Sequence, residues 1–319
     1  MIDKGNLLKK KVEDIDLNKE SRIIDLIKQF SKVGGFTAKK IYEAYEILNE
    51  MFKESEIRII SFPACIISTG IRGIIAKALK KKLFDLVITT CGTLDHDFAR
   101  IFSDYYQGFF EADDIMLSDL GIHRLGNIFI PKESYGETIE KNLRPILEKI
   151  YERKKVLGTY ELVWEIGKEL ENISKIKEKI DNSLIYICYK KKIPMIIPGI
   201  TDGAFGTQIL IFKMEKRDFE VSVWKDEEFL SKIFFGDKNI GALIIGGGIS
   251  KHHTIWWSQF SNGLKYSVYI TTAVEYDGSL SGARTREAIS WGKIKKEAKH
   301  VTVEGDATVI LPLILAPFL

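Results

Sequence analysis

Apolar positions change their rhythm along the chain. Residues 1 to about 20 are polar and charged with no period, which predicts an extended arm. Ile23, Ile24, Ile27 and Phe30 then recur at helical spacing, and Gly34-Gly35 stops that run. Thr37 is placed to cap a second helix reaching about Met51, with Ile41, Ala44, Tyr45 and Leu48 as its apolar face. From Ile57 the pattern becomes short β-branched runs separated by helical ones. It predicts strands over 57–62, 86–90, 127–130, 195–198, 242–245, 266–272 and 301–303. Helices fit over about 69–82, 136–153, 159–170, 227–235 and 249–260. Strand, crossover helix and strand in succession imply a largely parallel sheet covered on both faces. The expected fold class is therefore α/β, a Rossmann-like doubly wound sheet with an N-terminal helical arm. Residues 1–35 form the arm and first helix, and 36–319 form one large domain, since no repeat or Pro-rich linker divides them.

Composition narrows the function classes. With 45% hydrophobic and 29% charged residues over 319 positions, the chain can bury a large core. A formal charge of +3 with no dominant basic stripe argues against a nucleic-acid partner, and Lys80–Lys82 and Lys190–Lys192 read as solvated helix ends. No apolar run is long enough for a membrane span, and the N-terminus has no apolar signal region. Cys65, Cys91 and Cys188 form an odd set without metal-ligand spacing, which points to a reducing cytoplasm and no disulfide framework. No metal site is expected: His252 and His253 are adjacent and point to different faces, and the other histidines are scattered.

In a parallel sheet, ligands bind beyond the carboxyl ends of the strands. Five predicted strands end in small or polar residues: Ser68-Thr-Gly70, Thr90-Cys-Gly-Thr93, Thr201-Asp-Gly203, Gly246-Gly-Gly248 and Thr271-Thr-Ala273. Glycine there lets backbone approach a pyrophosphate closely. Gly246-Gly-Gly248 alone is not a dinucleotide fingerprint, because Lys251 stands where the third glycine belongs. Five such loops on one edge predict a nucleotide-sized ligand. Asp202 and Asp306 read either as partners of that ligand or as turn and helix caps.

The densest candidate chemistry runs Glu275-Tyr-Asp-Gly-Ser-Leu-Ser-Gly-Ala-Arg-Thr-Arg-Glu-Ala-Ile-Ser-Trp-Gly-Lys293. Glu287 and Trp291 lie four apart and share a helical face. A lysine held just past them in apolar surroundings is partly desolvated, which favours the free amine over the ammonium. Such an amine can hold a carbon covalently. On spacing alone, Lys293 also reads as a surface cap on a helix C-terminus.

Asp277-Gly-Ser, Ser281-Gly-Ala-Arg284 and Glu287-Ala-Ile-Ser-Trp-Gly-Lys293 closely resemble the signature of the deoxyhypusine synthase family, and the resemblance extends from about Asp14 to Leu315. It implies an NAD-binding catalytic domain over 36–319 and transfer of the 4-aminobutyl group of spermidine to a lysine of the hypusine-containing translation factor precursor. It implies Lys293 as the covalent residue and His252 as the proton-exchanging one. Substrate contacts would come from Asp95, His96, Gly278, Ser279, Glu287 and Trp291. Cofactor contacts would come from Ala64, Cys65, Ser68, Thr90, Cys91, Gly92, His96, Asp202, Gly247, Thr272, Ala273, Asp306 and Ala307. It further implies a homotetramer with active sites between subunits, the arm reaching a neighbour's entrance. The chain departs from the eukaryotic pattern at His96, Thr207 and Leu280, where acidic residues are expected, and Asp95, Asp97 or Glu275 are candidates to compensate. Homospermidine synthase, which accepts a free diamine, shares every motif quoted. An NAD-binding protein without catalysis is the other alternative, and intact Lys293, His252 and Glu287 argue against it.

Overall fold

A computed structural model describes residues 8–173 and 176–319. Six strands form the central sheet: Ile57–Phe62 (β1), Leu86–Thr89 (β2), Met195–Ile196 (β3), Ile240–Ile245 (β4), Leu264–Thr271 (β5) and Ile294–Glu304 (β6). Their spatial order is β6-β5-β4-β1-β2-β3, and every neighbouring pair is parallel. Read from the other edge this is 3-2-1-4-5-6, the dinucleotide-fold order.

The continuous apolar runs of β2 and β4, buried at every position, are explained by cover on both faces. Side chains alternate across the sheet. Ile60, Phe62, Val87, Leu243 and Ile245 enter one core, with Leu48 and Met51 of the Phe36–Glu54 helix. Ile59, Leu86, Ile88, Ala242 and Ile244 enter the other, with Leu230 of the Val223–Phe234 helix and Ile255 of the Gly248–Ser258 helix. Gly241 is needed for close approach, since a Cβ there would lie 2.3 Å from Met51 Cγ.

Three sequence expectations need correction. Residues 127–130 do not join the parallel sheet: Ile128–Pro131 pairs antiparallel with Ile122–Leu125 and with Tyr106–Gln107. The cause is a two-residue turn with Gly126 at its first central position, φ +60°, which folds the strand straight back on its predecessor. The second helix begins at Phe36, not after Thr37, whose hydroxyl instead donates to the Glu304 carbonyl. Third, helices also form at Cys91–Phe102, Leu184–Lys191, Ala204–Glu215 and Ala307–Leu315, beyond the spans that the periodicity picked out.

Residues 1–7 of the expected arm lie outside the described residues, and 11–18 run without helix or strand. That segment is tied down where Glu13 N donates to the Lys32 carbonyl and Lys32 Nζ pairs with the Glu13 carboxylate at 2.8 Å. No helix among the described residues is long and apolar enough to cross a membrane.

Candidate active site

The chain reverses direction across the sheet between β1 and β4, so the connections leaving their carboxyl ends part and open a crevice. Pro63 and Cys65 border it from β1, and Gly246, Gly247 and Gly248 from β4. Thr272 and Ala273 follow β5, Asp306 and Ala307 follow β6, and Thr90 follows β2. The cleft they share has a volume of about 530 Å³. Gly246 and Gly248 adopt φ +67° and +65°, which side-chain-bearing residues rarely do. Thr90 Oγ1 accepts from Ala64 N at 3.2 Å, joining the first two strand ends.

A second cleft, of about 470 Å³, lies on the other side of the loop that follows β5, and it contains Lys293. Gly292 at φ +67° ends the short Glu287–Ser290 helix. Lys293 N donates to the Ala288 carbonyl and Leu264 N donates to the Lys293 carbonyl, both at 3.0 Å. This backbone is the helix-terminating turn that the capping reading expected, yet the side chain turns into the cleft. Its Nζ lies 5.3 Å from the Trp291 ring centroid and 5.9 Å from that of Trp256, within cation–π range of both. Lys293 is half-buried in the single chain. Glu287 and His252 line the same cleft, and the His252 ring stacks on Trp256 at 6.0 Å. The imidazole is held below its usual range, first by partial burial and then by repulsion from Lys293.

One wall separates the two clefts. Ser281 faces the first, while Leu280, Ala283 and Arg284 face the second. Thr271 Oγ1 donates to the Ser281 carbonyl at 2.9 Å, and Gly247 presses so closely on Ser281 that an added Cβ would lie 2.5 Å from its Cα.

Comparison with known proteins decides the family. The profile described as deoxyhypusine synthase matches residues 25–318. A Picrophilus torridus protein named "Probable deoxyhypusine synthase" is 56% identical over 318 residues, covering 100% of both chains. A Thermoplasma acidophilum protein of the same name is 52% identical over 318 residues, again covering 100% of both. The chain belongs to the deoxyhypusine synthase family. Its activity is accordingly the alkyl transfer of that family, as the sequence motif led us to expect. The crystal structure of an Entamoeba histolytica protein assigned as a deoxyhypusine synthase superposes with a TM-score of 0.63 at 18% identity, covering 96% of this chain and 95% of that one; it shares the fold.

Within one chain of this deoxyhypusine synthase family member, the structure brings together Lys293, His252, Glu287 and Trp291 in one cleft. It brings Cys65, Thr90, Gly247, Thr272, Ala273, Asp306 and Ala307 together in the other. Ala64 and Gly92 stand just behind that second group, 2.9 Å apart were Gly92 to carry a Cβ. Ser68 is buried and donates to the Cys65 carbonyl, shaping the turn after β1. Burial pushes the Cys91 thiol up to about 12, so it packs as a neutral side chain.

Asp95 and His96 do not reach the lysine cleft of their own chain. Asp95 is 1% exposed and accepts from Phe205 N at 2.8 Å, Ala204 N at 3.1 Å and Tyr135 Oη at 2.7 Å. It caps the Ala204–Glu215 helix from a distance. His96 is buried with Nδ1 3.0 Å from Tyr105 Oη, and burial first, then Arg100, pushes its imidazole down to about 4. Gly278 and Ser279 are exposed on the outer turn of the wall loop, and Asp202 is exposed before the helix that Asp95 caps. The Asp306 carboxylate caps its own helix, accepting from Thr308 N at 2.8 Å and Thr308 Oγ1 at 2.7 Å.

Trp256 and Lys251 also line the lysine cleft and were not among the expected site residues. Trp256 stands four residues after His252 and so shares its helical face, a signal present but unused. Lys251 is buried beneath the wall. Nothing local distinguishes it from a surface lysine.

Proposed function

We propose that this enzyme transfers the 4-aminobutyl group of spermidine to a lysine of the hypusine-containing translation factor precursor in the cytoplasm. Lys293 is the covalent carrier in this reading, and NAD is the cofactor. The observation that carries it is the half-buried Lys293 amine between two indole rings, beside Glu287 and His252, in a cleft backed by a glycine-lined crevice at the β1/β4 switch.

The crevice suits a dinucleotide: three successive glycines leave its floor free of side chains, and its volume of about 530 Å³ lies within the range of cofactor sites. Thr90, Gly247, Thr272, Ala273 and Asp306 would hold NAD there. Bound there, NAD supplies a hydride acceptor that returns the hydride at the end, so the reaction has no net redox change.

The chain's own residues supply the rest. Glu287 is the cleft's carboxylate and pairs with a substrate ammonium. Trp256 and Trp291 receive the alkyl chain and the adjoining cationic nitrogen on their faces. His252, kept neutral by its surroundings, accepts a proton from the reacting amine. Lys293 Nζ then bonds to the electrophilic carbon, 1,3-diaminopropane leaves with the proton, and the four-carbon fragment stays on Lys293 as an imine. The acceptor lysine attacks the same carbon and displaces Lys293. Trp291 is 66% exposed in the single chain, and a homotetramer with sites between subunits would exclude water from the imine.

Incubation with labelled spermidine and NAD followed by borohydride should leave the label on the Lys293 peptide in mass spectrometry. Lys293→Arg should abolish transfer while NAD binding survives. An adduct on another residue, or wild-type transfer by the variant, overturns the reading. Transfer to a free diamine but not to the factor protein would make the enzyme a homospermidine synthase.

A further inference from the structure

Lys251 is 1% exposed, in the first turn of the helix that begins at the glycine run. Its ammonium donates to the Leu280 and Ala283 carbonyls, both at 2.7 Å, and lies 4.2 Å from the centroid of the Tyr269 ring. Among the described residues, no carboxylate bonds to it. Burying a cation with only neutral partners costs free energy, and a packing role alone is filled by methionine or leucine without that cost. Burial is the main force that pulls the group down to about 8, with Glu287 opposing and Arg284 assisting.

What the ammonium provides is direction. Its two acceptors are the ends of the four-residue wall, and Ser281 between them is held by Thr271 Oγ1 and packed on Gly247. Leu280–Ala283 has no regular secondary structure, and the amides of Gly282 and Ala283 both bond back to Ser279. The same helix start therefore contributes Gly247 and Gly248 to one cleft, His252 to the other, and Lys251 to the wall between them.

We infer that Lys251 is a positioning residue that fixes the shared wall to the helix start, so that a dinucleotide in the crevice and an amine in the lysine cleft sense each other's binding. The inference rests on the proposed assignment of NAD and spermidine to these two clefts. If the wall has one position when both clefts are filled, each ligand tightens the other by the same factor, and couplings of this kind run at about 5–150-fold.

NADH with spermidine tests this without turnover, because the reduced cofactor cannot take a hydride from the amine. NADH affinity is read from its fluorescence, with and without saturating spermidine. Wild-type enzyme should bind NADH about tenfold more tightly when spermidine is present. Lys251→Met should reduce that factor below about twofold while circular dichroism shows a native spectrum and NADH alone still binds. Loss of packing by itself lowers the melting temperature but leaves the factor intact. If Lys251→Met does not fold, Lys251→Gln, whose neutral amide nitrogen stops one bond short of the ammonium position, should lose the coupling instead. An undiminished factor in the folded variant, or a factor of one in the wild type, overturns the inference. Failure of the wild type to bind NADH at all overturns the cofactor assignment itself, and the coupling with it.

Discussion

Gly247→Ala would place a Cβ 2.2 Å from Ser281 Oγ, 2.5 Å from Ser281 Cα and 2.7 Å from Ser281 Cβ. The hydroxyl can rotate away, but the Cα belongs to the wall's backbone. Carbon atoms rest at about 3.5–4.0 Å, so the wall must retreat by about 1 Å. Overpacking of this order costs about 1–3 kcal/mol. If that cost falls on the ligand-bound arrangement, NAD affinity drops by about 5–150-fold. The assay is calorimetric titration of NAD into wild type and variant, with thermal melts followed by circular dichroism to establish that both are folded. Adding Ser281→Gly removes the Oγ and Cβ contacts but leaves the 2.5 Å approach to Cα, so the double variant should regain only part of the affinity. A folded Gly247→Ala protein with unchanged NAD affinity and transfer rate would refute the idea that this contact sets the wall between the clefts.

Asp95→Asn should lower the melting temperature, because a buried acceptor of three hydrogen bonds gains a donor that faces donors, at about 1–3 kcal/mol. The KM for spermidine should stay within about twofold; a large rise in KM without loss of stability would return Asp95 to the substrate. Glu287→Gln should raise the KM for spermidine about fivefold, the most that an exposed ion pair of about 1 kcal/mol supplies. An unchanged KM removes Glu287 from amine recognition. Because the His252 imidazole is held below its usual range, its neutral, proton-accepting form persists to lower pH. The acid limb of kcat/KM against pH should therefore fall below about 6.5, the unperturbed value. A limb above that value that persists in His252→Ala assigns the titration to another group.

Much of this was legible in the sequence because it is written locally. A strand that alternates between two cores must be apolar at nearly every position, and 240–245 and 86–89 announce that in their own residues. The terminal motif is equally local: Glu287, Trp291, Gly292 and Lys293 sit on one short helix and the turn that ends it, so their spacing almost fixes their geometry. The glycine run after β4 states its own backbone requirement.

Other features depend on residues far apart in the chain, and tertiary packing alone decided them. Ile128–Pro131 has a strand's composition, but its second partner, the distant Tyr106–Gln107, places it in a separate antiparallel sheet that its own residues do not announce. Asp95 looks like a binding carboxylate until the amides of Ala204 and Phe205 arrive from a distant helix to occupy it. Trp256 reaches Lys293, and Lys251 reaches the carbonyls of Leu280 and Ala283, only because two connections pack on one face of the sheet. Side-chain periodicity follows from the geometry of neighbouring residues, whereas the partner of a buried charge is chosen by desolvation once the whole core has closed.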